Sequence, residues 1–285
     1  MSTSLMTPTP TPARVSPPAG NLRVTFPRVV KSEWIKFRTL RSTIWTLAVT
    51  LALMVGIVTL LSAVLASQGT GSGAPSSIDL FSIASGIASL AVVVLGVLVI
   101  TGEYSTGMIR STLVAVPRRL PALWAKGVVL AASILVVSTV AVGISLGVMQ
   151  LFLGGKGLAP DLGDSETIRV LVGVPLYLTG IALLAFAIGA LLRHSAGALA
   201  TVLGLLLVVE NLFMFPWKPL QYISPFLPGT AGAKLLMTKA QLDGMTQGAD
   251  SVGAVLSPWQ GYGVMLAWVA VILTAAALLL RRRNA

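Results

Sequence analysis

Cysteine is absent from this chain, and charged side chains are scarce. Without cysteine there is no disulfide, no thiol nucleophile and no thiolate ligand for a metal. Charged residues make up 10% of the 285 residues and hydrophobic residues 55%, whereas a typical soluble domain has about 25% charged residues. The lone histidine, His194, has no second histidine or carboxylate near it in the sequence, which disfavours metal binding and acid–base chemistry. We therefore predict no catalytic residue and no metal site.

Two further signals are missing. The Gly-x-x-x-x-Gly-Lys-Ser/Thr motif that cradles nucleotide phosphates does not occur, and the nearest fragment, Gly154-Gly155-Lys156-Gly157, lacks its first glycine and its hydroxyl residue. The segment 1–24 is rich in proline, serine and threonine and has no apolar run that could form a signal-peptide core. We expect a disordered cytoplasmic tail there, and no nucleotide cofactor bound by the chain itself.

What the chain has instead is a series of long apolar stretches. A helix needs about 20 largely apolar residues to cross roughly 30 Å of hydrocarbon. Glu210 is the one charged side chain inside the stretches that meet this length. The sequence therefore predicts an all-α integral membrane protein with a transmembrane domain over residues 25–285. Its six predicted spans are residues 44–66, 80–101, 128–153, 170–192, 197–215 and 262–280.

The positive charge of the chain is distributed unevenly between the predicted loops. Lysine and arginine outnumber aspartate and glutamate by 20 to 9, for a net charge of +11. If the loops alternate across a membrane, 15 of the 20 basic residues fall on one side: seven before the first span, four between the second and third, Arg193, and three at the carboxyl terminus. The positive-inside rule places that side in the cytoplasm. We expect a multi-pass protein of a bacterial plasma membrane with both termini cytoplasmic, and no nucleic-acid partner.

A short amphipathic stretch precedes the first span. On a helix, Trp34 and Phe37 fall on an apolar face, while Lys31 and Arg38 fall on the opposite, basic face. Such a helix is typical of a membrane surface, with tryptophan at headgroup depth and the cations toward anionic lipid. The pattern predicts an interfacial helix, and a plain cytoplasmic anchor is the simplest role for it. Its candidate residues are Lys31, Glu33, Trp34, Phe37 and Arg38.

The loop between the second and third spans is the most distinctive part of the chain. It reads Gly102-Glu103-Tyr104-Ser105-Thr106-Gly107-Met108-Ile109-Arg110, then Pro117-Arg118-Arg119, with Lys126 at the start of the next span. This pattern resembles the permease subunits of ABC-2 type transporters. Those chains have an acidic residue, a glycine turn, a short amphipathic helix, a proline with basic residues, and a lysine in this order. Thr106-Gly107 departs from the family, which more often has glycine followed by threonine.

The resemblance extends to residues 30–38, which look like the interfacial connecting helix of the family, and to the six-span layout. It implies a cytoplasmic coupling helix in this loop, on which a separate ABC ATPase subunit docks. It also implies that ATP and Mg are bound by that ATPase, and that two permease chains form the working unit as a homodimer. The residues that the resemblance assigns to ATPase contact are Glu103, Tyr104, Thr106, Gly107, Met108, Ile109 and Arg110.

A mechanical argument, independent of the resemblance, also suits this loop to transmit force from a soluble partner to the spans. A helix joined without slack to two spanning helices transmits a push from a soluble partner, and Pro117 ends that helix sharply. Glu103 could pair with an arginine of the partner, and Met108 and Ile109 could fill an apolar groove. The alternative is an amphipathic loop that rests on lipid, in which the basic residues act only as topology signals.

Small and polar side chains inside the spans are further candidates. Ser82, Ser85 and Ser89 lie on one face of the second span with Gly86, which suits close packing or, alternatively, the lining of a translocation path. The third span carries Gly143-x-x-x-Gly147, a groove for another helix.

Glu210 near the end of the fifth span is costly if it faces lipid, about 2.5–3.5 kcal/mol at mid-membrane. We expect it to face protein or water, in a substrate pathway or dimer interface. The alternative is that it reaches the headgroups.

The loop 216–261 is unusually long, and its prolines and aromatic residues predict a segment that hugs the membrane, with a short helix near Thr230–Leu242. The function predicted from all these features is the permease half of an ATP-driven transporter, acting as an exporter of unspecified substrate. Two other classes fit the same pattern. An ion-coupled secondary transporter would use charges or broken helices at mid-membrane, and a non-transporting scaffold or sensor would bind a partner other than an ATPase.

Overall fold

A computed structural model describes five stretches of the chain, residues 25–68, 75–107, 119–213, 218–247 and 256–282. Every regular element within these stretches is helical, and they contain no β-strand. The predicted tail 1–24 lies outside the described residues. So does most of the predicted coupling helix, including Met108, Ile109 and Arg110.

The helices are numbered here in chain order. A one-residue break at Leu40 separates the first two, and a π-helical stretch, Gly204–Val209, continues the sixth through Glu210–Phe213. The elements are α1 Phe26–Thr39, α2 Arg41–Gln68, α3 Asp79–Ser105, α4 Arg119–Leu153, α5 Ser165–Leu192, α6 Ser195–Leu203, α7 Lys218–Ile223, α8 Pro228–Ala233, α9 Lys239–Gln247 and α10 Pro258–Arg282.

The six predicted spans are confirmed as helices long and apolar enough to cross a membrane. They correspond to α2, α3, α4, α5, the extended α6 and α10. The third differs most from its prediction: its helix begins at Arg119, well before the predicted start at residue 128. Sequence reasoning stopped at Lys126 because a charge usually marks the end of a span. That lysine is instead accommodated inside the helix, where carboxylates neutralise it.

A tight turn joins the fourth and fifth spans. Arg193 ends α5 in the left-handed region, with φ of 58°. His194 then precedes α6, and its Nδ1 accepts a hydrogen bond from the backbone N–H of Gly197 at 3.1 Å. This is the geometry of a helix N-cap, which satisfies one of the N–H groups that a helix leaves unpaired. The lone histidine therefore has a structural task at the end of a span.

The core is built around α5, the most buried of the six helices, which packs against α3, α4, α6 and α10. Glycine permits close approach of two spans: a Cβ added at Gly96 of α3 would lie 2.5 Å from the carbonyl oxygen of Ala182 in α5. By contrast, Gly143 and Gly147 are exposed on α4, with no atom within 4 Å of an added Cβ. The predicted groove on α4 is therefore not used among the described helices.

Exposed tryptophans mark both ends of the bundle. Trp45 and Trp124 lie near the starts of α2 and α4, at the end where α3 finishes, and are 71% and 46% exposed. Trp259, at the start of α10 on the opposite end, is 55% exposed. Tryptophan favours both membrane–water interfaces. The two positions therefore fit a bundle whose long axis crosses a bilayer.

The opposite end of the bundle is covered by a cap, defined here as residues 218–247. It contains α7, α8 and α9 with short 3₁₀ turns at Ser224–Phe226 and Lys234–Leu236. The single helix expected near Thr230–Leu242 is wrong in detail, because α8 ends at Ala233 and α9 begins at Lys239. The break has a tertiary cause that local sequence does not reveal: side chains from the spans bind the backbone of the turn between the two helices.

Candidate functional site

The helix α1 carries a buried stripe in which an acid lies between two apolar residues. Val29, Glu33 and Phe37, spaced four apart, are 5%, 5% and 7% exposed and form the face that packs mainly on α4. Trp34, on the predicted apolar face, is 41% exposed, and Lys31 and Arg38 are also exposed. The helix is present as predicted, whereas its place on a membrane surface stays a prediction.

Glu33 belongs to a group of four charged side chains, Glu33, Lys36, Glu103 and Lys126, called here the ion cluster. The Lys126 ammonium lies 2.5 Å from Oε2 of Glu33 and 2.6 Å from Oε1 of Glu103. The Lys36 ammonium lies 3.2 Å from Oε1 of Glu33 and 3.3 Å from Oε1 of Glu103. Two cations thus alternate with two carboxylates, and the formal charge of the group is zero.

Burial makes these contacts significant. The side chains of Glu33, Glu103 and Lys126 are 6%, 11% and 5% exposed, whereas that of Lys36 is 35% exposed. Burial by itself would lower the pKa of Lys36, but the carboxylates of Glu103 and Glu33 outweigh it and raise that pKa. A buried charge is tolerated only when it is paired, and removal of one partner leaves the other uncompensated. The four residues therefore act as one unit.

One atom of the cluster is not satisfied. Oε2 of Glu103 is buried and has no hydrogen-bond partner among the described residues. Buried polar atoms are usually hydrogen-bonded. An unpaired one therefore indicates local strain or a further group that forms the missing hydrogen bond.

The ion cluster connects three elements at one end of the bundle. Glu33 and Lys36 lie on α1, Glu103 in the last turn of α3, and Lys126 in the early part of α4. Glu103 precedes the segment 106–118 in the sequence and Lys126 follows it, so the described residues on its two sides are tied to the same group of charges. From the sequence, Glu103 was a candidate for an ion pair with an arginine of a partner protein. The structure gives it two cations within the chain, and the contact with a partner stays a prediction.

The sequence contains some indications of this cluster. Glu33, Glu103 and Lys126 all lie outside the six predicted spans, in segments assigned to the side rich in basic residues. What could not be read was which face of α1 turns inward, because its apolar residues cover two overlapping faces.

The remaining described residues of the predicted coupling segment end α3. The N–H and Oγ1 of Thr106 both donate to the carbonyl of Gly102, the latter at 2.8 Å. Gly107 follows with φ of 71°, the left-handed conformation that favours glycine after a helix. The order Thr106-Gly107 thus has a local reason. The ring of Tyr104 lies 5.5 Å from the Arg193 guanidinium, a cation–π contact that joins the end of α3 to the end of α5.

Glu210 lies at the opposite end, inside the protein. It is 6% exposed, and its carboxylate accepts hydrogen bonds from the backbone N–H of Gly229 at 2.7 Å and from Oγ1 of Thr230 at 3.0 Å. Its donors therefore come from the first turn of α8. The π-helical stretch Gly204–Val209 immediately precedes it and changes the angular position of the residues that follow. Glu210 fastens the cap to α6.

The spans hold the cap at several further points. Arg169 of α5 donates from its two terminal nitrogens to the carbonyls of Leu235 and Met237, at 2.8 and 2.7 Å. Ser82 of α3 donates to the carbonyl between them, that of Leu236, at 2.7 Å. Three consecutive carbonyls are thus bound by side chains from two spans.

The other two predicted polar residues of α3 are satisfied within their own helix. The hydroxyl of Ser85 donates to the carbonyl of Phe81, and that of Ser89 donates to the carbonyl of Gly86, each at 2.6 Å. Neither offers a free donor to a polar substrate. In the stretches that the structure describes, no three acidic or histidine side chains converge to hold a metal ion.

No protein-family model matches the chain, and no curated protein matches it. Function therefore has to be argued from the chain's own residues.

Proposed function

We propose that this chain is the membrane-spanning subunit of an ATP-driven ABC-2 type transporter, working as an exporter with a separate ATPase subunit. The observation that carries the proposal is the ion cluster, which pins both ends of the loop whose residues resemble the coupling segment of that family. ATP and Mg would be bound by the partner ATPase.

The cluster supports the proposal because it couples movement of the loop to movement of the helices on both sides of it. A soluble partner that pushes on residues 106–118 moves the start of α4 and the end of α3. Lys126 contacts Glu103 at 2.6 Å and Glu33 at 2.5 Å, so α1 is tied to the same point. The pairs are buried, so they are screened little by water and salt. A displacement at the loop therefore reaches three helices together instead of being lost in a flexible connection.

Orientation follows from the charges. The ion cluster lies at the end of the bundle to which alternation of the loops assigns 15 of the 20 basic residues, and that end would face the cytoplasm. α1 would lie at the inner interface, with Lys31 and Arg38 toward anionic headgroups. The cap would then face outward, and both termini would be cytoplasmic in a bacterial plasma membrane.

The working unit would contain a second copy of this chain and two ATPase subunits. This part of the proposal depends on the family resemblance. A lipid bilayer is the remaining partner, and nucleic acid is not among the proposed partners.

Co-purification tests the proposal. The full-length chain, tagged at its carboxyl terminus, is isolated from native membranes in mild detergent, and bound proteins are identified by mass spectrometry. We expect an ABC ATPase, together with vanadate-sensitive ATP hydrolysis in the purified fraction. The proposal fails if no ATPase is recovered and the purified chain alone, in proteoliposomes, moves solutes along an ion gradient.

A further inference from the structure

A cavity of about 500 Å³ lies between α3, α5 and the cap. Gly86 contributes one wall, Tyr177 another, and Met237 and Met245 come from the cap side. Its volume lies within the range of small-molecule sites, roughly 300–1,000 Å³. No described residue that lines it carries a charge.

Two polar side-chain atoms at this cavity, Oγ of Ser82 and Oε1 of Gln241, already form hydrogen bonds within the protein. The Ser82 hydroxyl donates to the carbonyl of Leu236 at 2.7 Å. Oε1 of Gln241 accepts a hydrogen bond from the backbone N–H of Thr238 at 3.1 Å. Deeper along α3, the hydroxyls of Ser85 and Ser89 bind their own helix. The face that the sequence presents as a row of hydroxyls therefore offers a mainly apolar surface.

Two methionines make this surface adaptable. Met237 and Met245 have flexible, polarisable side chains that adjust to ligands of different shape. A sugar or a charged peptide would find few hydrogen-bonding partners among these lining residues, and each polar group that it buried against them without a partner would be costly. A hydrocarbon chain or an apolar ring system would lose nothing of that kind and would gain from leaving water.

We propose that this cavity binds the apolar part of a hydrophobic or amphipathic small molecule. If the chain is the exporter proposed above, this molecule is its substrate class, and the cavity is a site on the outer side of the path. Identification as substrate rests on the proposed function, whereas binding in the cavity does not.

Glycine provides a matched pair of variants. An added Cβ at Gly86 meets no atom within 4 Å, and the same is true of Gly143 on α4. The first atom of a larger side chain is therefore accommodated at both positions, and both changes replace a helical glycine. Gly86→Leu fills the cavity, whereas Gly143→Leu, on an exposed face of α4 outside the cavity, does not.

Photolabelling tests the proposal. The purified chain in phosphatidylcholine nanodiscs is irradiated with a fatty alcohol that carries a diazirine in its chain, and adducts are mapped by peptide mass spectrometry. We expect adducts at Tyr177, Met237 or Met245. Labelling of these residues should fall about tenfold in Gly86→Leu, equivalent to about 1.4 kcal/mol of binding free energy, and should be unchanged in Gly143→Leu.

Three outcomes would overturn the proposal. The first is a lack of adducts at the cavity residues, and the second is equal labelling of the two leucine variants. The third is labelling by a phosphatidylcholine with the same diazirine chain but not by the fatty alcohol, because the occupant would then be a bilayer lipid. Labelling needs no ATPase, so it can succeed even if the co-purification experiment recovers no ATPase. That pair of results would refute the proposed function and leave the binding site standing.

Discussion

Lys126 is the residue on which the ion cluster depends most. Its ammonium has the shortest contacts of the cluster, to Glu33 and Glu103, and its side chain is 5% exposed. Lys36 contacts the same two acids at longer distances and is 35% exposed. The two lysines carry the same formal charge, but Lys36 is partly solvated by water whereas Lys126 is not.

This difference predicts unequal effects on stability. Lys126→Met leaves two buried carboxylates without their main cation, and we expect a loss of about 3–5 kcal/mol. Lys36→Met removes a partly solvated cation and should cost about 1 kcal/mol or less. Thermal unfolding in detergent, followed by tryptophan fluorescence, compares the two variants. Equal midpoints for both would contradict the described burial of Lys126.

Glu210 allows a similar comparison at the cap. Glu210→Ala removes the acceptor for the Gly229 N–H and the Thr230 hydroxyl, and an unsatisfied buried donor costs about 1–3 kcal/mol. We therefore expect faster amide hydrogen exchange across Pro228–Ala233. The neighbouring Asn211 is exposed and bonds the carbonyl of Leu207 in its own helix, so Asn211→Ala is the control. Unchanged exchange in Glu210→Ala would show that Glu210 does not hold α8.

At this scale the sequence indicated which charged residues need a partner inside the chain, but not which residues those partners are. Glu210 drew attention because a charge inside an apolar run is costly, and this argument depends on one position alone. Its donors, Gly229 and Thr230, are about 20 residues away and have no local signal. The same holds for Glu33, whose partner Lys126 is 93 residues away in sequence.

At the scale of elements, long helices were predictable and short ones were not. A spanning helix can be predicted from local sequence alone, because a run of about 20 apolar residues is long enough to cross a bilayer and is rare in soluble proteins. The cap helices α7, α8 and α9 have 6, 6 and 9 residues. Helices this short are marginal on their own and depend on tertiary contacts, such as the two carbonyl bonds made by Arg169.

The turn that ends α3 provides the prediction at this scale. Gly107 and Gly157 both have positive φ, 71° and 66°, and open space around an added Cβ. Alanine at either position imposes a similar backbone strain, about 1–2 kcal/mol. Only Gly107 belongs to the predicted coupling segment.

We therefore expect Gly107→Ala to reduce the ATP hydrolysis of the purified complex and Gly157→Ala to leave it unchanged. The measurement is vanadate-sensitive phosphate release at matched amounts of protein. Equal hydrolysis in both variants would separate the turn at Gly107 from the coupling of the two subunits.

For the whole molecule, the fold class followed from the sequence because a bilayer leaves few choices. Backbone polar groups must be satisfied internally in hydrocarbon, so apolar runs of this length become helices. The arrangement of the helices was not predictable in the same way. Gly143 and Gly147 fit a known packing pattern, yet the spans pack closely at Gly96 and Gly180 instead, and only the shapes of the facing helices decide that.

Topology is the prediction at this scale. The chain has no cysteine, so single cysteines can be introduced without removing any. Ser105 and Ser165 are both exposed and lie at opposite ends of the bundle. We expect an impermeant maleimide to label Ser165→Cys in intact cells and to label Ser105→Cys only after the cells are opened. The reverse pattern would invert the orientation.

The central claim is that an ABC ATPase docks on the loop between α3 and α4, and site-specific photocrosslinking in living cells tests it most directly. A photoreactive phenylalanine analogue replaces Ile109 of this loop in one variant. In the control it replaces Leu151, which is 84% exposed near the opposite end of α4. We expect a crosslink from position 109 to an ABC ATPase, identified by mass spectrometry, and none from position 151. A crosslink from position 109 to lipid alone, or to a protein without ATPase activity, would contradict the claim.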